Sequence, residues 1–299
     1  MFWLIAIILS YLSFALASLG DKIVLSGPSK PKSYTFFVGI LSLFSVFIIP
    51  FVEFGFPSGI GLAFIVLEAI VYVAGLYAMF YALENFDVSK VMPTIGATQP
   101  VIIAILSVFF WGYQKLEGNE ILAFIILLTG SVLISIDKNP KITKKSLEIS
   151  LIASFLFSLD FIYSKFVFTE MSFWQGFIWM RIFSFIFVLI FLFDKGFRKE
   201  MEEENSGFNK KTGIVFIVAQ IFGGLANILQ SWAIFLVPVS YLAIMNSMKG
   251  IQYVFLFVLV VLISSFLPKV LKEEINNKII IQKIVSILLI GLGLAILVL

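Results

Sequence analysis

Four ionisable side chains stand in stretches too apolar to welcome charge. Glu68 lies midway along GLAFIVLEAIVYVAGLYAMF, Asp160 and Arg181 fall inside two later apolar runs, and Lys249 sits between AIMNSM and Gly250. At the centre of a bilayer such a group costs ~2.5–3.5 kcal/mol on insertion scales, so it is expected to be paired, to titrate or to face a water-filled path. Glu68 is thus a candidate for proton coupling or substrate contact, with pairing to a structural arginine as the alternative. Asp160 and Arg181 are expected to neutralise one another across a helix interface, while an alternative pairs Arg181 with Glu68. Either arrangement could lend the guanidinium to a substrate carboxylate through two parallel hydrogen bonds. Lys249 is too deep to reach the interface and is expected to hold an anionic substrate group or the last carbonyls of a neighbouring helix. Lys22 and Lys165 end their apolar runs and are expected to snorkel.

Amides and phenols accompany these charges. Gln220, Gly223, Asn227 and Gln230 recur at i, i+3, i+7 and i+10, which puts them on one helix face. Asn246, Lys249 and Tyr253 share a face of the next run, and Tyr72, Gly75 and Met79 continue the face of Glu68. Such amides can join helices by hydrogen bonds of ~0.6–2 kcal/mol. Asn227, Gln230 and Asn246, together with Gln220 and Gln252, exceed what joining two adjacent helices requires. A polar pathway is the expectation.

The elements that must position these groups follow from composition. Of 299 residues, 61% are hydrophobic and 13% charged, so the chain reads as an all-α polytopic membrane protein. There is no His and no Cys, which removes thiolate chemistry, disulfides, zinc sites built on those ligands and the usual general base. No cofactor or metal site is expected, nor an enzyme. The formal charge of +3 is spread over loops and suggests no nucleic-acid partner. No GxxxxGK[ST] loop is present to cradle phosphates, so coupling to nucleotide hydrolysis is unsupported.

A crossing helix needs about 20 apolar residues. Ten runs meet that length, near 2–20, 34–52, 60–83, 88–111, 119–136, 147–168, 173–193, 212–236, 239–266 and 279–298. The first is expected to be a retained span and not a removed signal, since no basic leader or small-residue cleavage site accompanies it. Pro93 and Pro100 are expected to interrupt the fourth span around Gly96, freeing carbonyls beside a path or leaving a static kink. Trp3, Trp111 and Trp174 lie near span ends and read as interfacial anchors. Gly55 and Gly59 have GxxxG spacing but fall in a Pro-containing loop.

The two halves echo one another. Tyr81-Ala82 before Val88-Ser89 recurs as Trp232-Ala233 before Val239-Ser240, Asp21-Lys22 as Ser164-Lys165, and LTGSVLI around Gly130 as LIGLGLAI around Gly291. Five spans per half is an odd number, so the expected arrangement is two inverted five-helix repeats, residues 1–138 and 146–299, with a site near the midplane. Most Lys and Arg outside the spans lie in odd-numbered connections, which by the positive-inside rule puts those connections in the cytoplasm and both termini outside.

In these features the chain resembles the EamA-like permeases of the drug/metabolite transporter superfamily, over nearly its whole length. The carriers are the Lys22 and Lys165 span ends, Arg181, the stretch ALENFDVSKVMPTIGATQP from Ala82 to Pro100, and the Gly130 and Gly291 helices. Tyr113-Gln114 stands where that pattern usually has Gly-Glu, the second copy carries an extended PKVLKEE ending in Glu274, and Ala15 and Ser18 replace a usual Trp and Asn. The resemblance implies secondary transport of small metabolites, often amino acids, and termini in the cytoplasm, opposite to the charge bias.

The function expected is a secondary transporter in a prokaryotic plasma membrane, moving a small polar metabolite by alternating access. Glu68 is the first candidate for proton coupling, with Tyr72, Gln220, Asn227, Gln230, Asn246, Lys249 and Tyr253 as further substrate or coupling candidates. Asp160 and Arg181 are structural or substrate-charge candidates. Partners would be the small-molecule substrate and the lipid bilayer, with a homodimer as a candidate assembly. A flippase for a lipid-linked carrier and a non-transporting scaffold are the alternatives.

Overall fold

The computed structural model describes residues 2–25, 31–86, 88–113, 115–135, 143–198, 201, 210–266 and 277–298, and all regular structure among them is helical. Outside them lie Gln114, Glu274 and six of the lysines on which the expected orientation rests, together with the side chains of Lys22 and of four more of those lysines. Helices α1 (Phe2–Leu25), α2 (Pro31–Ser42), α3 (Gly59–Asn85), α4 (Val88–Trp111), α5 (Gly118–Ser135) and α6 (Lys144–Glu170) follow in order. Then come α7 (Phe173–Val188), α8 (Lys210–Leu236), α9 (Leu242–Ser247), α10 (Gly250–Phe266) and α11 (Asn277–Val298). Tight 3-10 turns prolong α2 over Leu43–Phe51 and α7 over Leu189–Phe193.

Ten of the described stretches are long and apolar enough to cross a membrane, where the apolar runs predicted them. The chain is a multi-pass membrane protein. Helix is the form these runs take because lipid offers no partner for a backbone amide or carbonyl, and an α-helix satisfies both within the segment. The ends are signalled locally. Ser58 and Thr143 accept hydrogen bonds from the amides of Gly61 and Ser146 at the starts of α3 and α6. Gly112, with φ +76°, stops α4 in a conformation that costs other residues more.

Packing joins early and late helices. The most extensive pairs are α1 with α8, α3 with α6, α5 with α11 and α4 with α6. Small residues permit close approach: a Cβ on Gly20 would lie 2.6 Å from that of Ala219 between α1 and α8, and one on Gly293 would lie 2.7 Å from Leu127 between α11 and α5. Interior positions hold Ile65, Ile103, Leu127, Ile162, Ile178 and Met180, all fully buried. Large exposed apolar groups such as Phe109, Phe193 and Leu288 face outward, the surface lipid covers. Trp111 stacks on Phe166 at 4.2 Å, and Trp3 and Trp174 also meet other rings, so these expected anchors are tied into aromatic clusters. The Gly55 loop is docked by its carbonyl, which accepts from Gln175 and Trp179. Beyond the membrane, Lys32 pairs with Asp194 at 2.5 Å; that hydrogen bond and the amide of Gly196 hold the Asp194 carboxyl below its usual range.

Two expectations about helix continuity are corrected. The fourth span is one uninterrupted helix despite Pro93 and Pro100. Hydroxyls of neighbouring helices reach it at other carbonyls than those of Ser89 and Gly96, which the two prolines leave without an amide: Tyr253 donates to Met92 and Ser158 to Gln99, both at 3.3 Å. The break falls instead in the ninth span, where α9 ends at Ser247 and α10 begins at Gly250. Ser131 of α5 bridges the gap: its hydroxyl donates to the Ser247 carbonyl at 2.6 Å and accepts from the Gly250 amide at 2.9 Å. A Cβ on Gly250 would lie 2.3 Å from that hydroxyl and 2.8 Å from the Ser131 backbone.

Gly250→Ala should therefore destabilise the protein by about 1–3 kcal/mol, the usual cost of overpacking. Gly224→Ala, where an added Cβ meets nothing within 4 Å, should not. Thermal unfolding of the two purified variants in detergent checks both.

Candidate functional site

Two polar centres emerge from the helices, and each gathers residues from several of them. The first lies among α3, α6 and α7. Nη2 of Arg181 donates to Oε1 of Glu68 at 2.7 Å, with the two side chains only 7% and 0% exposed. The guanidinium carbon also lies 4.3 Å from the centre of the Tyr72 ring and 5.7 Å from that of Phe177. Asp160, half-buried on α6, interacts with both Glu68 and Arg181.

The expected direct pair of Asp160 with Arg181 is therefore replaced by the alternative, Glu68 with Arg181. The reason is lateral order. Helix α3 packs on both α6 and α7, which scarcely touch each other, so its carboxylate takes the guanidinium, and Asp160 on α6 meets the pair beside Glu68. Two acids facing one guanidinium leave a formal charge of −1 when all are ionised. Oε2 of Glu68 and Nε of Arg181 are buried without a hydrogen-bond partner. A buried charge left uncompensated is costly, so the cluster has the composition of a site that takes up one more positive charge.

The second centre surrounds the break in the ninth span, where α9 and α10 meet α1 and α4. Asn246, 1% exposed, has no hydrogen-bond donor on its Oδ1. Lys249 donates through Nζ to Oε1 of Gln99 at 3.3 Å, and Gln99 is itself buried. Gln252 donates to Ser18 at 3.4 Å, and Tyr253 lies over Gly96 of α4, where the missing Cβ leaves room for its hydroxyl. The carbonyl of Met245 is taken by the Tyr11 hydroxyl at 3.1 Å.

The line predicted on α8 does not act as one group. Gln220 donates to the Tyr34 hydroxyl at 3.1 Å, and Tyr34 in turn bonds Asp21, which ties α8 to α1 and α2 away from both centres. Asn227 donates to the Gly223 carbonyl of its own helix at 3.1 Å. Gln230 is half-buried and has no hydrogen-bond partner among the described residues.

Lys165 departs from the snorkelling expected of it. It is 6% exposed, and its ammonium caps α8 by donating to the carbonyls of Ile234, Phe235 and Val237 at 3.0, 3.2 and 2.5 Å. Gln99, Ser131, Tyr11 and the Asp21–Tyr34 pair do not stand out in the sequence as site residues. Gln99 alone has a visible signal there, an amide between Thr98 and Pro100 inside an otherwise apolar span. Among the described residues no group of three or more His, Cys, Asp or Glu could hold a metal ion.

Removing the cation of the first centre should expose the cost of its acids. Arg181→Met should destabilise the protein by about 3–5 kcal/mol, because Glu68 then stays buried without its partner. Adding Glu68→Met and Asp160→Asn should recover most of that loss. Unfolding midpoints of the single and triple variants provide the measurement.

Residues 1–136 match the EamA-like transporter family. No curated protein sequence matches the chain. A solved crystal structure aligns with 98% of this chain and 95% of its own length, at a TM-score of 0.66 and 14% identity, a likeness of fold alone.

Proposed function

We propose that this chain, whose residues 1–136 belong to the EamA-like transporter family, is a secondary transporter that moves a small polar metabolite by alternating access between two inverted repeats. The repeats are residues 1–138 and 146–299, and the cavity lies between the group α3, α4, α6 and the group α1, α8, α10. The observation that carries this is the second centre: a helix break inside an apolar span, with a half-buried lysine and buried amides that are incompletely partnered. A scaffold has no use for such groups, since lipid or an apolar side chain would fill the same space at lower cost.

Packing supports the repeat. Replacing each span by the one five places away carries α1–α8 onto α6–α3 and α4–α6 onto the pair of α10 and α1, and both partners of each exchange are packing pairs. The pattern is incomplete: α5 packs on the ninth span, whereas α4 and α11, which would correspond to them, are not a principal pair. Helices α6 and α8 meet at the Lys165 cap, whereas α1 and α3, which would correspond to them, are not a principal pair either.

The first centre is assigned to coupling. Glu68 and Asp160 share one guanidinium, so a proton entering this cluster brings its formal charge from −1 to zero, and the charged and neutral forms favour different helix arrangements. The groups facing that proton are Glu68 and Tyr72 from α3, Asp160 from α6 and Arg181 from α7.

Uptake into proteoliposomes over a metabolite panel, with and without an imposed proton gradient, tests this. The wild-type ratio of driven to undriven uptake should exceed one. In Glu68→Gln or Asp160→Asn it should fall about fivefold or more, the scale of a coupling free energy of ~1–3 kcal/mol. An unchanged ratio in both variants would remove the coupling role. No uptake of any solute would remove the transport function.

A further inference from the structure

We infer that the substrate of this transporter carries a compact anionic group, a carboxylate or a phosphate ester, and that Lys249 at the break in the ninth span is its docking point; this rests on the transport function proposed above. The inference comes from comparing two lysines inside the bundle, Lys165, which is buried, and Lys249, which is half-buried. Lys165 has a structural role, because three carbonyls at the end of α8 converge on its ammonium. Lys249 has none. The carbonyls at its own helix break are already occupied, that of Ser247 by Ser131, that of Asn246 by the Lys249 amide, and that of Met245 by the Met248 amide and Tyr11. No carboxylate pairs with it among the described residues, and the acids of the first centre face Arg181 instead. Its ammonium meets a neutral amide oxygen, Gln99 Oε1, at a long 3.3 Å.

An ammonium has three donors and a full charge, and one amide oxygen satisfies little of either. A cation kept in that condition inside a membrane protein needs an anion from outside the protein. The surroundings suit a ligand better than a fixed partner. Lys249 and Tyr253 both reach α4, at Gln99 and at the Met92 carbonyl, and Asn246 lies on α9, which packs on α4. Asn246 is 1% exposed, and its Oδ1 lacks a donor in the protein. Gln99 and Gln252, both buried, add amides that can donate or accept as a ligand requires. Lysine is the appropriate residue for a compact charge, since its ammonium acts as a point charge with rotatable donors and does not impose the planar fork of arginine.

The test uses the full-length protein purified in detergent. Its unfolding midpoint is followed while sodium phosphate, succinate or glutamate is titrated at constant ionic strength, with glucose and choline chloride as neutral and cationic controls. Binding to the native state raises the midpoint. At least one of the three anions should stabilise the wild type, glucose and choline should not, and Lys249→Gln should weaken the effect about tenfold or more. Lys249→Arg should retain part of it. If Lys249→Gln does not fold, Gln99→Glu supplies the second variant: an internal carboxylate beside the ammonium should raise the midpoint without ligand and abolish the response to anions. Equal half-saturation in wild type and Lys249→Gln, or no response to any of the three anions, overturns the inference. A response to short-chain phosphatidylglycerol alone overturns it too, because the anion would then be a lipid headgroup. Proteoliposome flux separates this inference from the transport function: flux of a neutral solute unaffected by Lys249→Gln removes the anion site and leaves transport, whereas Lys249-dependent binding without flux does the reverse.

Discussion

The exclusion of water from the bilayer interior is the constraint on which the rest of this structure depends. In water a broken helix or an unpaired ion finds solvent; here each must find a protein partner or bear the cost. The ninth span can break only because the Ser131 hydroxyl serves both sides of the gap at once, accepting from Gly250 and donating to Ser247. The end of α8 can be buried only because Lys165 reaches it from α6. Both solutions join helices distant in sequence, so satisfying the backbone also organises the bundle.

The same constraint separates the polar groups into those already satisfied and those left waiting. Gln220, Tyr34 and Asp21 form a closed set, and Asn227 is content with a carbonyl of its own helix. These are joints. Lys249 and Asn246 retain unused hydrogen-bonding capacity, and the Glu68 and Asp160 pair retains unused charge. In lipid, unused capacity is more informative than polarity itself, because a bonded amide and a free one look alike in sequence but differ by several kcal/mol in cost.

That distinction marks how far the sequence could be read. The count of spans and the charges inside them were legible, because length and composition are local properties. The partner of Arg181 was not. Whether Glu68 or Asp160 meets it depends on α3 lying between α6 and α7, and lateral order among helices leaves no periodic trace. Lys165 looked like Lys22, a basic residue at a span end, because the helix terminus it caps is about seventy residues away in the chain. The prolines misdirected the search for a break. The helix carrying Pro93 and Pro100 runs on unbroken, while the true interruption needed Gly250 and a serine 119 residues earlier.

The position of that interruption connects the two polar centres to movement. The short α9 packs on α4 and α5, whereas α10 packs on α1 and α5. One span is thus divided between a segment fixed to the α4 side and a segment fixed to the α1 side, with Met248 and Lys249 forming the joint. In the alternating access proposed above, displacement of α1, α8 and α10 against α3, α4 and α6 is absorbed at that joint, since continuous helix on either side resists bending. The Lys249 ammonium bridges the same boundary, extending from the joint to Gln99 on α4. A ligand held there touches both groups of helices, so its binding free energy differs between their arrangements, which is the physical condition for a substrate to drive its own translocation.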